Sequence, residues 1–105
     1  MAENIVLTEA EYYILLSLFE PMHGYGIMQN AEKLSSGRVK LAAGTLYGAI
    51  NTLLEKHWIE AMPEQKNSRK KEYIITNEGK DAINHEMKRL GELLKNGENI
   101  VGGME

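Results

Sequence analysis

A chain of 105 residues has room for one domain and a modest core, so part of its stability is expected to come from oligomerisation. It has no cysteine, which excludes disulfides and thiolate metal sites. It also lacks an apolar run long enough for a membrane span or a signal peptide, so a cytoplasmic location is expected. The net charge of −3 argues against a nucleic-acid ligand, but its distribution does not. Residues 1–20 carry four Glu and no Lys or Arg; residues 21–75 carry eight basic and five acidic side chains; residues 76–105 carry four basic and six acidic ones. A basic middle can steer a protein to phosphate although the total is negative.

Thr8-Glu9-Ala10-Glu11 reads as a capping box that opens a first helix, which Pro21 stops. Tyr12, Leu15, Leu16 and Phe19 form one apolar stripe along it, and Ile14 and Leu18 a second. A helix apolar on two faces must be covered on both, so one face is expected to meet a second subunit. His23-Gly24-Tyr25-Gly26 turns into a second helix that runs to about Leu34 and turns Ile27, Met28, Ala31 and Leu34 inward. Arg38-Val39-Lys40-Leu41 alternates polar and apolar and reads either as a short strand or as an extended link. A third helix is expected from about Thr45 to Lys56, with Leu46, Ala49, Ile50, Leu53 and Leu54 inward. Its other face carries Thr45, Tyr47, Gly48, Asn51 and Thr52, without the Lys/Glu mixture of an ordinary solvated helix.

Trp58–Met62 and Glu72–Ile75 read as two strands of a hairpin, joined by the polar loop 64–71. Thr76 is placed to N-cap a last helix, about Asn77 to Asn96, in which Ile83, Met87, Leu90 and Leu94 are spaced four, three, four. That is the alternation of a heptad seam and suits pairing with another helix. Gly97, Gly102 and Gly103 mark a tail expected to fray.

Three short helices followed by a β-hairpin describe a winged helix-turn-helix, mainly α with a small β-hairpin wing, plus a C-terminal dimerisation helix. The division expected is a DNA-binding domain over residues 1–75 and a dimerisation helix with its tail over residues 76–105. The third helix would enter the major groove, where small residues allow close approach and polar ones reach base edges or phosphates. Thr45, Tyr47, Gly48, Asn51 and Thr52 are the residues expected to do so. Lys66, Arg69, Lys70 and Lys71 would form the wing and meet the backbone. Tyr12 and Leu16 of the first helix, with Ile83, Met87, Leu90 and Leu94 of the last, would build the dimer.

Several runs together resemble the PadR-like transcription regulators. They are His23-Gly24-Tyr25, Gly44-Thr45-Leu46-Tyr47, Leu53-Leu54-Glu55-Lys56 and Arg69-Lys70-Lys71-Glu72-Tyr73, with Thr76 opening the last helix. The resemblance covers about residues 7 to 95 and is most specific at Gly-Thr-Leu-Tyr. It implies a winged-helix homodimer that binds double-stranded DNA at an inverted-repeat operator, mostly as a repressor. It also implies release, in some members, by a small hydrophobic or aromatic effector. The sequence departs from the family pattern at Ala42-Ala43, at Gly48 where a Pro commonly follows the Tyr, and at Trp58 where a small residue is usual. The last helix has no aromatic residue, which argues against a planar ligand stacked across the dimer axis. An effector pocket, if formed, is expected between the first and last helices near Tyr12, Leu16, Met87 and Leu90.

No catalytic constellation is present and no cofactor is expected. His85-Glu86 begins a zinc-protease motif, but Arg89 stands where its second His must be. His23 is expected to cap its turn, and Trp58 to anchor the base of the wing. The acidic total keeps one alternative open: a winged-helix module that binds protein and not DNA.

Overall fold

The computed structural model describes residues 5–63 and 70–103. Helix α1 (Glu9–Ser17) starts where its cap chemistry dictates: Thr8 Oγ1 accepts from the Glu11 N–H at 3.1 Å, and Glu11 Oε1 accepts from the Thr8 N–H at 2.9 Å. Its side chains Ile14, Leu15 and Leu18 are fully buried. Helices α2, α3 and α4 all pack on α1, so Ile14 and Leu18 of one stripe and Leu15 of the other lie in the chain's own core. The second stripe is thus covered by the chain itself, whereas the first is covered only in part. Tyr12 and Leu16 are half-buried, and Phe19 stands exposed in the turn just past the helix with Lys80 Nζ 5.8 Å from its ring centroid.

Strand β1 (Met22–His23) leads into helix α2 (Gly24–Leu34). His23 is the N-cap, its Nδ1 accepting from the Gly26 N–H at 3.2 Å. Asn30 ties α2 to α1 by donating to Ser17 Oγ at 2.9 Å. The helix ends in a Schellman turn: the Gly37 N–H donates to the Glu32 carbonyl at 2.7 Å and the Ser36 N–H to that of Lys33 at 3.1 Å. Ser36 and Gly37 take φ values of 55° and 83°, the conformation glycine tolerates best. Leu34, expected inward, lies on the last turn and is half-exposed.

Residues 38–41 form no strand. They are the extended link, and the Val39 N–H is held by Ser35 Oγ at 2.8 Å. Helix α3 (Ala43–Glu55) follows, two residues earlier than its apolar pattern suggests. It buries Leu46, Ile50 and Leu53 and ends in a second Schellman turn, with His57 in the left-handed region at φ 61°.

The strand missing from 38–41 lies at 22–23. β1 pairs antiparallel with β3 (Glu72–Ile75), which also pairs antiparallel with β2 (Ile59–Ala61), giving a three-stranded sheet in the order β1-β3-β2. Its inward residues, Ile59, Tyr73 and Ile75, close the core over α1 and α3. The Ile75 N–H donates to the Leu18 carbonyl at 2.8 Å and binds sheet to helix. A two-residue strand has too few positions to show period-two alternation, which is why the sequence pattern misses it.

Helix α4 (Asn77–Gly102) is capped by Thr76, whose Oγ1 accepts from the Gly79 N–H at 3.0 Å and donates to the His57 carbonyl at 2.7 Å. Its 26 residues exceed the expected end at Asn96, so Gly97 and Gly102 lie inside the helix. At 1.5 Å per residue it runs about 39 Å, most of it beyond the core. Ile83 is buried in the chain's own core, which removes it from the expected dimer seam.

Two contacts fix where α4 leaves the sheet. A Cβ on Gly79 would strike the Trp58 carbonyl oxygen and lie 2.6 Å from Ile75 Cγ1, so only glycine lets the first turn of α4 seat there. Gly79→Ala is expected to cost about 2–4 kcal/mol, since the obstructing atom is backbone and cannot swing aside. Urea denaturation of wild type and variant checks this, and an unchanged midpoint contradicts it. The second contact is Glu86, buried to 1 % exposure. Its Oε2 accepts the Leu7 N–H at 2.9 Å, and both its oxygens accept from Arg89, at 2.6 and 2.8 Å. The residue that spoils the zinc motif is thus the partner of that buried carboxylate.

Candidate nucleic-acid interface

No side chain from Leu41 to Leu54 carries a charge, and α3 presents Thr45, Tyr47, Gly48, Asn51 and Thr52 together as exposed residues. Gly44 and Gly48 sit in this helix with open space where a Cβ would stand. Each costs roughly 1 kcal/mol of helix stability relative to Ala, and among the described residues no contact requires either. Thr52 Oγ1 donates to the Gly48 carbonyl at 3.2 Å, which leaves its lone pairs to accept from an outside donor. Ala42, the N-cap, makes no side-chain hydrogen bond, so the first N–H groups of α3 point outward at the positive end of the helix dipole.

Tyr47 lies at the edge of this face, half-exposed, with its phenol laid over Gly24 at the start of α2. Beside it a cleft of about 320 Å³ opens between the start of α2 and the start of β3. Its walls include His23, Tyr25, Tyr47, Lys70, Lys71 and Tyr73. The Tyr73 phenol is pushed above the ordinary tyrosine value, first by burial and then by the nearby Tyr47 phenol. Two lysines at the mouth of a tyrosine-lined cleft offer cationic donors and neutral hydroxyls to one oxyanion, the chemistry of a backbone phosphate.

The structure thus brings Thr45, Tyr47, Gly48, Asn51, Thr52, Lys70 and Lys71 to one side of the domain. Lys66 and Arg69 lie outside the described residues. The expected contact residues leave out Tyr25, 63 % exposed in the wall of the cleft, and Tyr73, which stand in the sequence only within the family-like runs. Tyr25 carries no periodic signal because it sits in the first turn of α2, and Tyr73 reads simply as a strand residue. Trp58 is half-buried against the core with Lys56 Nζ 4.7 Å from its ring centroid, and it anchors the hairpin as expected.

The other end of the molecule is apolar. From Met87 onward α4 exposes Met87, Leu90, Leu93, Leu94, Ile100 and Val101, each 40–69 % accessible. Met87, Leu90, Leu94, Gly97 and Val101 follow one another at three-four spacing. Leu93, Leu94, Gly97 and Val101 form an open, mainly apolar surface on this helix, with Glu98 beside them. Among the described residues no helix is long and apolar enough to cross a membrane, and no group of three His, Cys, Asp or Glu side chains could hold a metal ion.

Comparison with known proteins agrees with this architecture. A PadR family transcription regulator from Clostridium difficile superposes with a TM-score of 0.71 over 90 % of this chain and 98 % of that one, at 24 % identity. RosR of H. salinarum gives 0.67 over 92 % of each chain at 27 % identity. A PadR-like transcriptional regulator from Bacillus cereus gives 0.70 over 87 % of this chain and 89 % of that one, at 21 % identity. Among curated proteins no sequence matches. The family described as transcriptional regulator PadR-like matches residues 14–85. With more than half its length matched and the winged-helix fold in place, the chain belongs to the PadR-like family and is a DNA-binding transcriptional regulator.

Proposed function

We propose that the protein works as a homodimeric repressor that occupies an inverted-repeat operator. Each subunit lays α3 in a major groove and its hairpin loop, with Lys66, Arg69, Lys70 and Lys71, on the flanking backbone. Residues 1–75 carry the DNA contacts, and the part of α4 beyond Met87 carries the dimer. The observation that carries the reading is the exposed face of α3: uncharged, polar, and cleared by two helical glycines that no contact among the described residues needs. Such a face gains nothing from bulk water over an ordinary Lys/Glu face, but it fits against the floor of a groove. In the dimer, Met87, Leu90, Leu94 and Val101 pair with their copies, Gly97 lets the helices approach, and Tyr12 and Leu16 border the contact. An apolar or aromatic effector would enter between α1 and α4 beside these residues. It would release DNA only if it bound one dimer geometry better than the other.

Fluorescence anisotropy with the DNA upstream of the protein's own coding region tests this. Affinity should fall steeply with salt. Asn51→Ala should weaken binding about tenfold and flatten discrimination between sequences, the effect of losing one base contact. Gly48→Leu should weaken it at least as much while leaving the fold intact, since Leu favours helix over Gly. Lys71→Ala should lower the salt slope by about one. Adding aromatic acids and planar drugs to the same assay tests the effector, and no change in affinity across the panel removes it. A protein-interaction module would show no salt-dependent DNA binding and no response to these variants.

A further inference from the structure

Gly24 is buried at the first position of α2, and its backbone does not require glycine: among the described residues Gly37 is the glycine with positive φ. What it provides is space. A Cβ there would lie 2.9 Å from Tyr47 Cζ, closer still to the Tyr47 hydroxyl, and 3.3 Å from Leu46 Cδ2. The phenol of Tyr47 therefore rests directly on the Gly24 backbone, and its hydroxyl stands where α2, α3 and β3 meet, at the cleft shared with Lys71 and Tyr73.

The two nearest atoms belong to the far end of Tyr47, a side chain half-exposed on its other side, and the buried Leu46 methyl at 3.3 Å need give by only a few tenths of an ångström. An added methyl would push the ring outward and would not break the backbone, unlike the case at Gly79. An alanine in the first turn of a helix also gains helix propensity over glycine. The cost of a side chain at position 24 thus falls on where Tyr47 points and not on folding.

We propose that Gly24 is a positioning residue for DNA recognition: it keeps open the seat that fixes the Tyr47 hydroxyl against the phosphate backbone. The role rests on the DNA-binding reading above, and it couples α2 to the reading helix through one ring.

A double-mutant cycle on operator affinity tests it, with the free protein as control. Gly24→Ala should lower affinity about fivefold or more, the worth of roughly one hydrogen bond, while its thermal midpoint stays level or rises. In the Tyr47→Ala background, where no ring remains to displace, the same change should alter affinity less than about twofold. Equal losses in both backgrounds, or full affinity in Gly24→Ala, would overturn the proposal. In the protein without DNA, the nuclear Overhauser contact between the Gly24 α-protons and the Tyr47 ring should be strong in wild type. Its absence there overturns the seat itself. A seat that is present in a wild-type protein unable to bind any DNA overturns the DNA reading, and Gly24's role in recognition with it.

Discussion

The double substitution Leu90→Glu, Leu94→Glu is expected to turn the protein into a folded monomer that binds its operator about 100-fold or more weakly. Both leucines are exposed in the single chain, so no core contact is lost and the circular dichroism spectrum should keep its helical signal. In the dimer the two side chains would meet their copies along the seam, and four carboxylates would be placed where apolar surface is buried. Each winged helix would then bind one half-site alone, without the gain that comes from tethering two. The same chemistry at Ile83 would act differently. That residue is part of the chain's own core, and Ile83→Glu should unfold the protein, not separate its subunits. Sedimentation equilibrium and anisotropy on the same samples check the first pair. A Leu90→Glu, Leu94→Glu protein that remains dimeric would remove the C-terminal seam from the account.

Glu86→Ala is expected to cost about 3 kcal/mol and to lower the thermal midpoint by roughly 10–20 °C. The carboxylate is almost fully enclosed and satisfies the Leu7 N–H and the Arg89 guanidinium together. Removing it leaves a buried amide unpaired and frees the segment before α1 from α4. The hydrogen bonds from Arg89 hold its carboxyl below the usual carboxylate range, against the opposing effect of burial and with help from the Leu7 amide. A carboxyl whose pKa is lower in the folded state contributes stability that is present above its unfolded value and is lost as pH falls through its folded value. The gap in stability between wild type and Glu86→Ala should therefore be full near neutrality and close below about pH 4, the ordinary Glu range. Urea titrations at several pH values read this directly. A gap that stays constant into strong acid would contradict the assignment.

Much of the fold was legible because its signals are local. The capping box at Thr8, the cap at Thr76 and the uncharged run through α3 are each written in a few neighbouring residues. What was not legible depends on distant partners. Strand β1 exists only because Met22 and His23 find the edge of β3 fifty residues later in register with Tyr73 and Glu72. Ile83 keeps the heptad spacing of the seam but lies where α4 still touches the core, and spacing alone does not say where that contact ends. Gly97 and Gly102 read as the end of a helix, yet Leu93, Leu94, Ile100 and Val101 keep an apolar face running through them. Glu86 looked like a fragment of a metal motif because its true partners, Arg89 one turn on and Leu7 at the other end of the chain, have no shared pattern. The reading face needed both kinds of information. Its composition is visible in the sequence, but the roles of Gly24 and Gly48 separate only when the space around each is known: one is filled by Tyr47, the other is empty.

Hydroxyl-radical footprinting of the upstream DNA, run with wild type and with Leu90→Glu, Leu94→Glu, reads both the DNA contact and its dependence on the dimer. Two protected patches are expected on one face of the duplex, centred about one helical turn or a whole multiple of it apart, over the arms of an inverted repeat. Both should be lost together in the monomeric variant at the same protein concentration. A single patch that survives in that variant, or no protection at any concentration in low salt, would contradict the proposed dimer on an inverted repeat.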